Sequence, residues 1–274
     1  MKPWQRILLR TARALAIGYL VVVLLMTFLE RWLVYPAPPL ARSDWTTEGT
    51  AIEEVEFASA DGTKLHGWLV ETDNADHAIV YFHGNGEQVA DNGDLVEYYA
   101  DRFNATVLVF DYRGYGYSEG KPNEKGVVQD GLAAQRWLAE RTGREPGNVV
   151  LVGRSIGGGV AVACAAELGA KALVLQSTFS RLTDAAAHHY PWLPVRLAMR
   201  NRYDSVKRIA QYDGPLLQSH GTKDFVVPLE LGRRLYDAAP GEQKRFIEFR
   251  GGGHNDPQPP AYYDQLAAFL DELP

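Results

Sequence analysis

Residues 150–159 read VLVGRSIGGG: a short apolar run passes into Gly153-Arg154-Ser155-Ile156-Gly157 and two further glycines. An Ala-rich helical pattern follows through residue 168. A serine beside glycines at a strand end is most often an ordinary turn. The alternative is a serine held on a tight strand-to-helix bend, where G-x-S-x-G lets neighbouring backbone pack close and lifts the hydroxyl clear of the sheet. The first amides of the following helix then point to where an oxyanion would form. The rest of the chain decides between the two.

Strand-like and helix-like segments alternate from about Ile52 onward. IEEVEF and KLHGWLVE flank an Asp61-Gly62 turn and read as an antiparallel hairpin. HAIVYFHG, ATVLVFDYRG, NVVLVGRS, KALVLQS, GPLLQSHG and KRFIEFRG read as further strands. Helical patterns lie over Leu95–Arg102, Val127–Arg141, 156–168, from about Pro228, and from about Tyr262 to Leu273. Apolar runs without alternation suit strands buried on both faces of a parallel sheet. The expectation is an α/β fold with a mostly parallel central sheet, an antiparallel edge hairpin and helices on both faces. Ligands in such folds bind at the carboxyl ends of the strands.

A serine hydroxyl needs a base to become a nucleophile. Of the seven histidines, His254 in GGGHND follows the strand KRFIEF on a glycine-rich loop. His66 and His77 lie near the edge hairpin. His188 and His189 fall in a helical stretch that suits packing, and His83 and His220 precede glycines at strand ends, where ordering a loop is the default role. The imidazole needs an acid to fix its tautomer. Asp224, in SHGTKDFVVP after the strand GPLLQS, has the right place; Asp184 is a weaker substitute, Asp213 opens its strand at the wrong end, and Asp256 is too near His254. The chain order Ser155, Asp224, His254 suits this strand–elbow–helix layout. No His-Glu-x-x-His or Cys/His cluster has metal-ligand spacing, and no cofactor is expected.

With HGNGE, DYRGYGYSEG, GRSIGG, HGTKDFVVP and GGHND in place, residues 50–274 resemble an α/β-hydrolase. The resemblance is strongest to membrane-anchored serine hydrolases of the serine aminopeptidase-like or lysophospholipase-like kind, related to palmitoyl-protein thioesterases. It implies Ser155 as nucleophile, Asp224 as acid, His254 as base, and the backbone N–H groups of Asn85 and Ile156 as the oxyanion hole. It also implies that DYRGYGYSEG shapes a loop near the pocket without taking part in the chemistry. Arg154 replaces the His or Tyr common before the serine in lipases. The segment after Ser177, with HHYPWLPVRLAM, sits where caps insert but is too short for a full lid, so a shallow or open site is expected, unsealed by Trp192. The function expected is hydrolysis of acyl esters or thioesters on an acylated small molecule, lipid or acylated protein. Alternatives are a serine aminopeptidase, for which Glu87 and Glu119 would be candidate amine ligands, and a non-catalytic tethered binding protein.

The 274 residues carry a net charge of −6, distributed unevenly. Residues 1–44 hold six Lys/Arg against Glu30 and Asp44, a net +4 that leaves −10 on the remainder. An acidic body excludes general nucleic-acid binding. Cys164 is alone, so no internal disulfide can form, and its Ala-rich setting suits a buried thiol. Ala14–Leu29 is uncharged and apolar, slightly short of the roughly 20 residues that span a bilayer. Arg13 can snorkel and Trp32, Leu33 and Tyr35 extend the span as an interfacial belt, giving a transmembrane helix over about 14–35. Leu29 is followed by ERWLVYP, not by a small-x-small cleavage site, which favours an anchor over a signal peptide. YPAPPLARSD reads as a proline-rich linker, so the domains expected are 1–44, anchor and linker, and 45–274, catalytic. The basic residues ahead of the span place the N-terminus in the cytoplasm and the catalytic domain on the far side. Oligomeric state is left open.

Overall fold

The computed structural model describes residues 2–273. A long helix, α1 (Pro3–Val34), precedes a hairpin of β1 (Ile52–Ala58) and β2 (Lys64–Val70). There follow β3 (His77–Phe82), α2 (Gly93–Arg102), β4 (Ala105–Phe110), α3 (Glu124–Arg141), β5 (Val150–Arg154), α4 (Ile156–Leu168) and β6 (Ala172–Gln176). A cap segment holds α5 (Leu182–His189), α6 (Val195–Ala198) and α7 (Ser205–Ile209). The chain closes with β7 (Leu216–Gly221), α8 (Leu229–Ala238), β8 (Lys244–Phe249) and α9 (Pro260–Asp271).

The strands form an eight-stranded sheet in the order β1-β2-β4-β3-β5-β6-β7-β8. β2 pairs antiparallel with β1 and with β4, and the remaining neighbours are parallel. The expected α/β fold with an antiparallel edge hairpin is therefore present. The interior strands β3, β4, β5 and β6 are buried along their apolar lengths because both sheet faces are covered. Val80, Leu108, Leu151 and Leu173 pack with α3, α4 and α8 on one face, while Ile79, Val107, Val152 and Val174 pack with α2 and α9 on the other. Alternate residues of each strand point to opposite faces, so unbroken apolar runs are what two covered faces require.

α1 extends well beyond Ala14–Leu29 and is long and apolar enough to cross a membrane. Residues 3–22 are largely exposed, but Val23, Met26, Thr27, Glu30 and Val34 turn toward the body. Their spacing of three and four makes a single helical stripe. The residues that follow, read from sequence as a spacer, run over the body instead. Tyr35 is buried with its hydroxyl against Asn201 Oδ1 (3.1 Å) and Tyr203 Oη (2.9 Å), Arg42 donates to Gly86 O (2.9 Å), and Trp45 packs edge-on against Trp68 and Tyr117.

Candidate active site

Parallel strands aligned in one sheet bring their carboxyl ends to one edge. Ser155 lies between β5 and α4 with φ 53° and ψ −117°, a left-handed conformation that a side chain adopts only under constraint. The constraint is visible on both sides. Ser155 N donates to Gln176 O (2.9 Å), and Thr178 Oγ1 donates to Ser155 O (2.7 Å). The bend also requires close backbone approach. A Cβ at Gly153 would stand 2.6 Å from Gly157 O, and one at Gly157 would stand 2.1 Å from Phe82 O.

The other sequence-derived candidates converge on this hydroxyl. His254, in the loop after β8, has Nε2 3.0 Å from Ser155 Oγ. Its Nδ1 is 2.8 Å from Asp224 Oδ2. Asp224 Oδ1 accepts the amides of Val226 (2.9 Å) and Val227 (2.7 Å), which fix the carboxylate in its loop after β7. Burial raises the Asp224 pKa, but hydrogen bonds from His220 and His254, with the loop amides, outweigh it and hold the group well below the usual carboxylate range. Ile156 opens α4, so its N–H is one of the four without an intrahelical acceptor. Asn85 lines the same cavity as Ser155, Ile156 and His254. Its loop is held from behind: Tyr115 Oη donates to Asn85 Oδ1 (3.1 Å) and Tyr112 Oη to His83 O (2.9 Å), which is what DYRGYGYSEG does here.

The rejected acids are engaged elsewhere. Asp184 pairs with Arg196 and Arg234, and Asp256 accepts Gly253 N within the His254 loop. His83 is fully buried, and burial pushes its imidazole down from the ordinary histidine value. Cys164 is buried and its thiol is pushed up by desolvation. Among the described residues no cluster of His, Cys, Asp or Glu could hold a metal ion.

Three residues, besides Glu87, make contacts here that the sequence reading did not assign to them. Arg154 pairs with Glu87 and donates through Nη2 to His254 O (3.2 Å) and Asn255 Oδ1 (3.0 Å), so the residue before the serine ties down the loop carrying the histidine. Glu87 also accepts Gly84 N (2.8 Å), which leaves it committed between the two loops. His220 Nε2 lies 2.8 Å from Val227 O and 3.3 Å from Asp224 Oδ2, continuing the chain of contacts behind Asp224. The third is Glu30. Its side chain is buried at the end of α1 and accepts from Arg200 N (2.9 Å), Asn201 N (2.8 Å) and Asn201 Nδ2 (2.8 Å). In sequence it reads only as the charge that ends an apolar run.

In front of Ser155 lies a cavity of about 430 Å³, mostly apolar, bounded by the cap and by α1. Trp192 remains 57% exposed and does not seal it. The cap is not its only wall, because α1, which the sequence reading assigned to the bilayer alone, lines it through Val23, Met26, Thr27 and Val34.

Residues 77–205 match the alpha/beta hydrolase fold family. An Arabidopsis thaliana protein named alpha/beta hydrolase domain-containing protein WAV2 is 30% identical over 258 residues, covering 86% of this chain and 84% of that one. This chain belongs to the alpha/beta hydrolase family. The hydrolase is also 37% identical, over 75% of its length and 73% of the relative's, to an uncharacterised protein of Mycobacterium tuberculosis. An uncharacterised membrane protein of Saccharomyces cerevisiae is 28% identical to the hydrolase, with 88% of each chain covered. Among solved structures, an esterase of Pyrococcus furiosus superposes with a TM-score of 0.72 at 20% identity, over 86% of this hydrolase and 99% of that chain. That last likeness is one of fold.

Proposed function

We propose that this hydrolase is a membrane-anchored serine hydrolase that cleaves acyl esters or thioesters through an acyl-enzyme on Ser155. The observation that carries the reading is the unbroken path from Ser155 Oγ through His254 to Asp224 at the mouth of an apolar cavity. His254 Nε2 takes the hydroxyl proton as Ser155 Oγ attacks the acyl carbonyl carbon. The carbonyl oxygen becomes an oxyanion held by the Asn85 and Ile156 amides. Collapse expels the alcohol or thiol, which receives the proton from His254, and leaves the acyl group on Ser155. Water then attacks, losing its proton to His254, and the acid departs as Ser155 recovers its hydrogen. Asp224 stays ionised and fixes the imidazole throughout.

An acyl substrate is favoured over a peptide amine by the lining of the cavity. Glu30 is the carboxyl side chain that reaches the cavity, and its oxygens already accept from Arg200 and Asn201. Glu87 is paired with Arg154. Neither is left to hold a substrate ammonium group. Retention of α1 as an anchor is supported by its apolar length, by the printed name of the yeast relative, and by the stripe from Val23 to Val34 that packs on the body. The excess of basic residues at its start supports a cytoplasmic N-terminus and an extracytoplasmic catalytic domain.

The test is labelling of the full-length protein by a fluorophosphonate, wild type beside Ser155→Ala and His254→Ala, followed by acyl esters, thioesters and aminoacyl amides. Labelling of wild type alone, with esters or thioesters turned over faster than amides, is the expected result. A folded wild type that takes no label would sink the serine mechanism, and faster amide cleavage would move the reading to a peptidase.

A further inference from the structure

The position of α1 beside the reacting serine extends this reading from the bond cleaved to the route by which the substrate arrives. Gly84 and Asn85 are at the end of the cavity near the C-terminus of α1: the neighbouring Gly86 lies beside Pro36, and its carbonyl accepts from Arg42. From there the lining follows α1 backwards through Val34, Thr27, Met26 and Val23. That distance is about 16 Å along the helix axis. It leads from the polar end of α1 into its apolar run. The cap keeps to the same course, because Tyr19 Oη, four residues further back, donates to Trp192 O at 2.9 Å. Large apolar side chains next to the lining residues face outward, with Trp192 57%, Leu197 85% and Phe225 79% exposed. Exposed aromatic and aliphatic side chains around a concave site are costly in water and suited to lipid.

We infer that α1 is one wall of an acyl-chain pocket that opens into the bilayer, so that the chain of a membrane-resident ester enters sideways between α1 and the cap. The inference rests on the acyl-hydrolase reading above. The carbonyl end stops at Ser155, level with the end of the span, and the hydrocarbon tail lies along Met26 and Val23, beside the lipid it came from. Glu30 sets the register. Its bonds to Arg200 and Asn201 hold the helix against the cap, so the residues that reach the pocket are fixed by one carboxyl group. Met26 and Val23 then determine which chain lengths fit, and Leu24, 67% exposed on another face of the helix, does not.

The experiment uses the full chain in lipid nanodiscs, with Met26→Trp, Met26→Ala, Trp192→Glu and, as control, Leu24→Trp. Two readouts are taken: kcat/KM on butyryl and palmitoyl esters of one chromogenic alcohol, and affinity for cis-parinaric acid, a fluorescent fatty acid that needs no chemistry. Met26→Trp should lower kcat/KM for the palmitoyl ester at least about tenfold, with the butyryl ester within about twofold and parinaric affinity falling in step. Met26→Ala, which adds space in place of bulk, should keep or improve the palmitoyl ester. Trp192→Glu puts a charge beside the apolar run and should slow the bilayer-borne palmitoyl ester about tenfold while sparing the soluble butyryl ester. Leu24→Trp should change nothing.

If Met26→Trp folds and affects both esters equally with parinaric binding intact, α1 is no wall. If Trp192→Glu spares the palmitoyl ester, entry is not from the bilayer. If wild type turns over no ester yet Met26→Trp still abolishes parinaric binding, the ester reading falls and the pocket assignment stands.

Discussion

Arg154 donates to the carbonyl oxygen of His254 at 3.2 Å, so the residue immediately before the candidate nucleophile holds the backbone of the candidate base. Arg154 ends β5 and His254 lies in the loop after β8, and the same guanidinium pairs with Glu87 in the loop after β3. One side chain thereby sets the separation of the serine, the histidine and the oxyanion loop. Arg154→Ala should lower kcat by about ten- to a hundredfold with KM little changed, since misplacement of catalytic groups costs orders of magnitude. Arg154→Lys should recover only part, lacking the planar fork that reaches two partners. A normal kcat in a folded Arg154→Ala would deny it this positioning role.

Ser155→Ala should lower turnover by roughly 10⁴ to 10⁶, and His254→Ala by a similar factor, because such residues act as a unit. The double variant should be barely worse than either single one. Additive losses in kcat would show that the two side chains do not serve the same step.

Asp224 carries a pH signature. Its carboxyl is held below the usual range in the folded protein by His220, His254 and two amides, despite the opposing effect of burial. A depressed folded-state pKa contributes stability that is fully present above the unfolded value, here 3.8, and is lost as pH falls toward the folded value. Wild type should therefore lose stability through that window more steeply than Asp224→Asn. Parallel melting-temperature curves from pH 6 down to about pH 3 would contradict this sign. Because Asp224 remains ionised in mild acid, any loss of activity between pH 7 and 5 should persist in shape when stability is held constant, and it belongs to another group of the site.

Gly157→Ala should destabilise the protein by about 3 kcal/mol, since its Cβ would stand 2.1 Å from a backbone oxygen that has no flexible end to move. Denaturant titration reads this directly. A loss below about 1 kcal/mol would mean that the elbow has slack the structure does not display.

Glu30→Ala leaves the Arg200 and Asn201 amides without their acceptor in a buried setting and should cost about 1–3 kcal/mol. The conservative Glu30→Gln keeps an acceptor oxygen and should cost less. Unchanged melting of Glu30→Ala in lipid would show that the helix docks without it.

The fold was legible because parallel strands covered on both faces must be apolar at consecutive positions, as in ATVLVF and HAIVYF. The helices start a turn or less ahead of the apolar pattern, because their first turns are polar: α2 begins at Gly93, and α3 at Glu124 with Asn123 capping it. Ser155, Asp224 and His254 could be chosen from sequence because each follows a strand that the sheet aligns. Arg154 could not be given its partners, since its contacts reach residues 67 and 100 positions away in the chain, and no local pattern encodes them. The stripe on α1 was hidden for a different reason. Lipid and a protein cavity both ask for apolar side chains, so Val23 and Met26 look the same as Leu24 and Leu25 until the body is seen against them.

The bond between Glu30 and Asn201 makes the last turns of α1, from Val23 to Val34, continuous with the body that carries Ser155. A version trimmed of α1 would retain Ser155, His254 and Asp224 yet lack a side of the cavity, and any rate measured on it would report on a different pocket. For the same reason, exchanging α1 for another helix of equal hydropathy would replace part of the lining of the cavity in front of Ser155.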